Sequence, residues 1–403
     1  MSTVSTQTID PPVKRRRGFL SRINFRQYGI LAALVIIIVL FQVLTGGRLL
    51  LPGNVNNLIQ QNAYVLILAV GMVMVIIAGH IDLSVGSVVA MVGAIAAIAM
   101  TSWGWPWWAA VILSLVVGAV VGAWQGFWVA FVGIPAFIVT LAGMLLFRGL
   151  TLVLLTGGTI SALPDGFTAI GAGWLPPLFG YLGDRDGLTL VLGLVSCAAL
   201  VAQQLRTRAT LRRLELPREV AWSFWLKNAV AVIAIMATAW TLSTYNGTPI
   251  ILIILAVLVL AYTFVLDRTV FGRHIYAMGG NLFAAVMSGV KTKWVNFFVF
   301  VNMGVLAGLA AVDATARAGS AVASAGQNYE LDAIAAVFIG GAAVQGGVGT
   351  VVGAVIGGLV MGVLNMGLSI LSVDAAWQMA IKGIVLLLAV AFDIVNKRRS
   401  GGA

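Results

Sequence analysis

Residues 64–100 read YVLILAVGMVMVIIAGHIDLSVGSVVAMVGAIAAIAM, and this stretch decides the fold. Two apolar runs, near 58–78 and 84–100, are joined by only a few polar residues around Asp82. The hydrocarbon layer of a bilayer is about 30 Å thick and needs about 20 apolar residues per helix. Strands of a membrane barrel would instead alternate with a period of two, which these runs do not. The stretch therefore predicts two membrane helices with a short break between them.

The composition of the whole chain agrees with this interpretation. Of its 403 residues 61% are hydrophobic and 9% charged, against roughly 45–50% and 25% in soluble domains. The single cysteine, Cys197, excludes an intrachain disulfide. These values exclude a soluble enzyme, a disordered chain and a DNA-binding domain, even though the net charge is +11.

We predict an all-α, polytopic transmembrane bundle of ten to twelve spans, with broken or short helices near 79–87 and 330–347. Residues 330–343 are too short and too rich in glycine for an ordinary span. The bundle is expected to fill residues 29–395, between terminal tails at 1–28 and 396–403. The predicted spans lie near 29–44, 58–78, 84–100, 107–131, 135–155, 187–204, 227–244, 248–266, 295–314, 330–343, 347–371 and 377–394.

The basic residues indicate the orientation of the chain. Nineteen of the 24 Lys and Arg residues lie in four segments, 1–28, 204–227, 267–294 and 396–403, each after an even number of predicted spans. Loops that stay in the cytoplasm are enriched in Lys and Arg. We therefore expect both termini, the basic segment 204–227 and the loop 267–294 to be cytoplasmic, and we expect no nucleic-acid partner. The C-terminal basic segment follows an even number of spans only if residues 330–343 cross the membrane, which favours counting them as a span.

Glycines spaced four apart predict where helices pack closely. Gly118, Gly122 and Gly126 form one such stripe, and Gly349, Gly353 and Gly357 are spaced in the same way. Lipid tails do not drive helices together, so close packing in membranes depends on small residues.

Polar residues inside the apolar sequence are candidates for function. Asp82 is predicted to cap the helix that follows the break, with Ser84 as the alternative cap. Irregular backbone at membrane depth is tolerated only where protein buries it or where it lines a water-filled cavity. The break therefore predicts a translocation path along Asp82, Ser84 and Ser87. Asn365 is either part of this path or a bridge between helices.

Four other ionisable residues lie in or near the predicted spans. Asp313 and Arg317 have the spacing of a helical ion pair, while Arg148 and Lys382 lie within spans and need an internal partner or access to water. There is no row of acidic residues along one helix, so a carrier driven by protons or sodium is disfavoured.

Residues 267–294 form the most informative loop. A turn is predicted at residues 279–280, followed by Asn281 as an N-cap and a helix of about eight residues that ends at Gly289. Ala284 and Ala285 are expected to be exposed on it. Such a short helix is marginal alone, so it is either a simple connector or a coupling helix that docks on an ATPase subunit.

The sequence has no phosphate-binding Gly-x-x-x-x-Gly-Lys-Ser/Thr motif, and its two histidines lack metal-ligand partners, so we predict no catalytic, cofactor or metal site.

Three motifs together resemble permeases of ABC importers, in the ribose and xylose monosaccharide family. They are the loop 267–294, residues 79–86 (GHIDLSVG) and residues 330–341 (ELDAIAAVFIGG) with the glycines up to Gly349. Residues 382–393 look most like xylose permeases. Two features depart from the family pattern. His80 stands where a small residue is common, and residues 204–227 form an extra basic, amphipathic segment.

The resemblance implies a permease of the bacterial inner membrane that moves a monosaccharide by alternating access. Its implied partners are two ATPase subunits that bind the ATP, a second permease copy and a periplasmic binding protein that meets loop 156–186. Branched-chain amino acids or nucleosides are the alternative substrates, and an ion-coupled secondary carrier is the other alternative. The residues implied to couple the permease to the ATPase are Gly272, Gly279, Gly280, Asn281, Ala284, Ala285 and Gly289.

Overall fold

The computed structural model describes residues 25–156, 158–216 and 220–400, and within them the chain is predominantly helical. Most of the predicted tail 1–28 and the last three residues of the tail 396–403 lie outside the described residues. In chain order the helices are α1 (Phe25–Leu44), α2 (Pro52–Ile77), α3 (Val85–Thr101), α4 (Trp107–Phe127), α5 (Ala136–Leu155), α6 (Asp165–Ala172), α7 (Gly187–Arg213), α8 (Ala221–Ser243), α9 (Ile250–Arg268), α10 (Val270–Gly280), α11 (Leu282–Met287), α12 (Thr292–Ala318), α13 (Tyr329–Ile339), α14 (Val351–Ile370) and α15 (Ala375–Ser400).

The helical fold class is confirmed. Among the described residues, eight helices are long and apolar enough to cross a membrane, namely α2, α4, α5, α7, α8, α9, α12 and α14. Three shorter apolar stretches lie in α1, α3 and α15. Each of the twelve predicted spans coincides with one helix, and the span predicted at 330–343 is the 11-residue α13. At 1.5 Å per residue α13 is about 16 Å long, roughly half of the hydrocarbon thickness.

Helix α2 lies at the centre of the bundle. Nearly all of its side chains from Ala63 to Ile77 are buried, because α2 packs against α9, α12, α13 and α14. A helix that is apolar on all sides belongs inside a protein or a membrane, and here α2 is enclosed by other helices. One end of α2, at Ile77, lies beside α10, and we call this end of the bundle the α10 end.

Short strands and a short helix cover the opposite end of the bundle. Strand β1 (Thr159–Ile160) pairs antiparallel with β4 (Ala321–Val322), with Thr159 opposite Val322. Between them in the chain, β2 (Tyr181–Leu182) and β3 (Arg185–Asp186) form a hairpin. Helix α6 packs on the end of α12, where a side chain at Gly171 would press against the backbone of Asp313 and Arg317. Loop 156–186 therefore lies at the end opposite α10.

The two ends of the basic segment 204–227 are helical. Helix α7 continues to Arg213 and α8 begins at Ala221, so both helices extend beyond the predicted spans. Arg212 and Arg213 occupy the last turn of α7, where positive charge is favourable beside the free carbonyl groups. Helix α15 likewise continues to Ser400, into the predicted tail.

The glycine stripes make the predicted close contacts. Gly118 and Gly122 on α4 face Gly304 and Phe300 on α12, and a Cβ at Gly122 would overlap the carbonyl oxygen of Phe300. Gly353 and Gly357 on α14 face α13 in the same way. Gly349 differs, because it precedes α14 and contacts Ile77 instead.

Replacing Gly122 with leucine should prevent the contact between α4 and α12, because the side chain would meet backbone. Overpacking typically costs ~1–3 kcal/mol, and we expect a lower yield of monodisperse protein on size exclusion in detergent. Gly149→Leu on α5 is the matched control, since nothing lies within 4 Å of its added Cβ. Equal monodisperse yields of the two variants would contradict this packing role.

Candidate functional site

The break between α2 and α3 is organised by a chain of three buried polar side chains. The Asp82 Oδ1 atom accepts hydrogen bonds from the backbone N–H of Ser84 at 2.8 Å and from Ser84 Oγ at 2.7 Å. Gln125 on α4 donates from Nε2 to Ser84 Oγ at 2.6 Å. The predicted cap by Asp82 does not form, because Ser84 occupies the N-cap position of α3 and makes no side-chain cap bond. The Asp82 carboxylate instead binds a backbone donor in the turn ahead of α3.

The other residues predicted along the path are placed differently. Ser87 is buried in the first turn of α3. Asn365 lies on α14 one turn beyond Gly362, which packs on Asn62 of α2. Asn62 and Ile77 are separated by about 22 Å of helix, so the structure does not bring Asn365 to the Asp82 break. The Oδ1 atom of Asn365 has no hydrogen-bond partner among the described residues.

The break is also tied to the start of α12. His80, the residue that departs from the family pattern, donates from Nε2 to Asn296 Oδ1 at 2.9 Å. Its ring lies beside Phe300, with 5.8 Å between the ring centroids. The extra side chain at position 80 therefore supplies a link that a small residue would not make.

The loop 267–294 contains two short helices, α10 and α11. Thr269 caps α10 by accepting from the Gly272 N–H, and Asn281 caps α11 by accepting from the Ala284 N–H at 2.9 Å. The predicted cap at Asn281 is confirmed. So is the end at Gly289, which adopts a φ of 83°, a left-handed conformation that favours glycine.

Two details of this loop were predicted wrongly. Gly279 and Gly280 form the last turn of α10 rather than a separate turn, since the helix continues until Asn281 adopts an extended backbone. Ala284 is exposed as predicted, but Ala285 is buried. The exposed face of α11 is instead bulky and apolar, with Leu282, Phe283 and Met287 exposed by 55%, 72% and 68%. Phe283 and Met287 are four residues apart, so both lie on one face of a helix. This spacing in the sequence could have predicted the exposed apolar face.

Helix α10 contacts both interrupted regions of the bundle. The Ile77 carbonyl at the end of α2 accepts from the Gly347 N–H at 2.9 Å, and a Cβ at Gly279 would overlap the same carbonyl oxygen. The Tyr276 hydroxyl donates to the Gly349 carbonyl at 2.7 Å. Burial raises the pKa of Tyr276, and the Asp267 carboxylate raises it further, so the phenol remains a neutral donor. The α10 segment thus meets the end of α2 and the turn between α13 and α14.

The ionisable residues inside the bundle find partners, though not all the predicted ones. Lys382 on α15 pairs with Asp332 on α13 at 3.1 Å, and Arg148 donates to the carbonyls of Ala323 and Ala325 at 3.1 and 2.6 Å. Of the two alternatives left open for these residues, an internal partner or access to water, each has taken an internal partner.

The ion pair predicted within α12 does not form. Arg317 reaches across to α2 and donates to Gln60 Oε1 at 2.8 Å and to Asn57 Oδ1 at 3.4 Å, instead of turning back to Asp313. The long side chain finds two amide acceptors on the facing helix, which sequence spacing alone does not reveal. Among the described residues, no group of three histidine, cysteine, aspartate or glutamate side chains could hold a metal ion.

Long apolar helices, two interior breaks and a polar segment that contacts both define a helical membrane transport protein. The chain belongs to the family described as "Branched-chain amino acid transport system / permease component", whose model matches residues 54–390. It is the permease subunit of an ABC importer and a multi-pass membrane protein.

Relatives named as sugar permeases are similar to it over nearly their whole length. The xylose transport system permease protein XylH of Haemophilus influenzae is 40% identical over 380 residues, which cover 94% of this chain and 99% of the relative. XylH of Escherichia coli K12 is 39% identical over 402 residues, with 99% and 100% coverage. The ribose import permease protein RbsC of E. coli K12 is 34% identical over 396 residues, with 98% and 100% coverage. No solved structure matches the chain.

Gly279→Ala should separate α10 from the end of α2, because the new Cβ would overlap the Ile77 carbonyl oxygen. We expect a loss of ~1–3 kcal/mol, seen as a lower unfolding temperature in detergent. Gly280→Ala is the adjacent control, since nothing lies within 4 Å of its added Cβ, and alanine in a helix is neutral or stabilising. A Gly279→Ala variant as stable as Gly280→Ala would refute the close approach.

Proposed function

We propose that this chain carries a pentose such as xylose across the bacterial inner membrane, driven by ATP hydrolysis in separate subunits. The similarity at 39–40% identity to permeases named for xylose, over nearly their full length, carries this proposal. The ribose permease is less similar at 34%. In this proposal the permease provides a path with no ATP site of its own.

The α10–α11 segment is the proposed docking site for the ATPase. A helix of six residues is too short to be stable alone, and α11 presents a bulky apolar face to solvent through Phe283 and Met287. An exposed apolar patch of this kind marks an interaction surface. The predicted coupling residues Gly272, Gly279, Gly280, Asn281, Ala284, Ala285 and Gly289 shape the segment, and the large side chains make the contact.

Movement of this segment would reach the path through backbone contacts. Gly279 lies against the Ile77 carbonyl and Tyr276 binds Gly349, so a displacement of α10 acts on both interrupted regions together. The Asp82–Ser84 break follows directly after α2. ATP binding in the partner can shift an inward–outward equilibrium only through contacts that differ between the two states, and these contacts are the candidates.

The remaining parts of the assembly follow from the same proposal. Both termini and the 204–227 segment lie on the cytoplasmic side with α10, in agreement with their positive charge. Loop 156–186 then faces the periplasm, where its exposed residues Phe179 and Tyr181 would meet a sugar-loaded binding protein. A second permease copy completes the path.

Other substrates are the competing proposal. The family description names branched-chain amino acids, and a nucleoside would use the same architecture. An ion-coupled carrier is disfavoured, because it has no use for a docking helix.

Phe283→Asp should abolish co-purification of the ATPase, because a charge would enter an apolar contact. Phe179→Asp is the matched control: its side chain is similarly exposed, at 64% against 72%, but lies at the opposite end of the bundle. We expect normal ATPase recovery with Phe179→Asp and at least a tenfold loss with Phe283→Asp, measured on affinity-purified permease. ATPase recovery unchanged by Phe283→Asp would remove α11 from the interface.

In proteoliposomes that hold the permease, its ATPase and its binding protein, xylose should be taken up in an ATP-dependent manner. Excess leucine or adenosine should not compete. Uptake of leucine in place of xylose would establish the amino-acid alternative, and uptake without any ATPase would establish a secondary carrier.

A further inference from the structure

A column of polar side chains runs along the contact between α2 and α12. Helix α2 carries Asn56, Gln60 and Tyr64 one turn apart, and α12 carries Asp313 and Arg317 with the same spacing. Asn56 Nδ2 donates to Gln60 Oε1 at 3.2 Å, and Arg317 donates to the same oxygen at 2.8 Å. The column therefore begins at the end of the bundle opposite α10 and leads into its interior.

The interior end of the column is closed by aromatic rings. Tyr64 stacks on Tyr329, with 3.7 Å between the ring centroids and 20° between the planes. The Tyr64 hydroxyl donates to Asp332 Oδ2 at 3.5 Å, and Lys382 pairs with the same carboxylate. These groups satisfy one another and anchor α13 and α15 below the column.

Two polar atoms in the column are buried without partners. Gln60 Nε2 is a donor and Asp313 Oδ1 is an acceptor; both side chains are 2% exposed, and neither atom has a hydrogen-bond partner among the described residues. Native proteins leave few buried polar groups unpaired, and the penalty is severe in the interior of a membrane protein. Gln60 and Asp313 do not bond to each other, so both atoms are free to bind a further group.

A hydroxylated molecule matches this pair. A hydroxyl group both donates and accepts, so the hydroxyls of a sugar can accept from Gln60 Nε2 and donate to Asp313 Oδ1. Arg317 already donates to Gln60 and Asn57, and the Lys382 ammonium pairs with Asp332. The two unpaired atoms are one donor and one acceptor, a combination that hydroxyl groups can satisfy.

We propose that the α2–α12 polar column is a contact site for the transported monosaccharide, with Gln60 as donor, Asp313 as acceptor and the Tyr64–Tyr329 pair as its inner boundary. This inference rests on the proposed sugar transport and names where, within the permease, the sugar is held. The Asp82 break and the coupling segment play no part in it.

Asp313→Leu in the reconstituted complex separates this role from a structural one. Removing an unpaired buried carboxylate should leave the unfolding temperature unchanged or raise it, while initial xylose uptake falls at least tenfold. ATP hydrolysis stimulated by the sugar-loaded binding protein should stay within twofold of wild type, since that protein docks outside the bundle. Asp313→Asn keeps the carbonyl acceptor and should retain uptake within threefold.

Asn228→Leu is the matched control, because Asn228 is also buried with an unpartnered Oδ1 but lies on α8. Its xylose uptake should equal that of wild type. Normal uptake by Asp313→Leu, equal losses in Asn228→Leu, or an Asp313→Asn variant as inactive as Asp313→Leu would each overturn the proposal. A wild-type complex that imports no pentose would instead refute the proposed function, and this site with it.

Discussion

The interrupted helices depend on one constraint, which is that a backbone N–H or C=O inside a bilayer cannot turn to water for a partner. The chain meets this constraint with its own groups. The Asp82 carboxylate accepts a hydrogen bond from the Ser84 N–H. The Gly347 N–H donates to the Ile77 carbonyl, and Arg148 donates to two carbonyls ahead of α13. The first of these bonds is local to its break, and the other two join the chain after and before α13 to α2 and α5.

Features set by local chemistry could be predicted from the sequence. Long uncharged runs gave the positions of twelve helices, because only a helix satisfies its own backbone in lipid. The Asn281 cap and the end at Gly289 were also predictable, since a side-chain cap and a left-handed glycine act within a few residues. The glycine stripe on α4 indicated a close contact, although not that α12 would be the partner.

Features set by distant partners could not be predicted. Arg317 has Asp313 one turn away but bonds to α2, because the fold places two amides within its reach. Ala285 is buried by the packing of α11, which no local pattern reveals. A polar face at Gln60 and Tyr64 could have been predicted from the sequence. Amide and phenol groups one turn apart inside an apolar span indicate such a face. That Gln60 Nε2 lacks a hydrogen-bond partner is visible only in the folded structure, because it depends on which helices pack against α2.

The contact between Gly279 and Ile77 has a mechanical consequence. It joins backbone to backbone, and backbone atoms have no rotamers that could absorb a displacement. A displacement of α10 is therefore transmitted to α2 with little deformation of the contact. The two helices should move by nearly the same distance where they touch. Such a joint also tolerates sequence drift in the surrounding side chains, because its stiffness resides in the peptide chain itself, provided that position 279 stays free of a side chain.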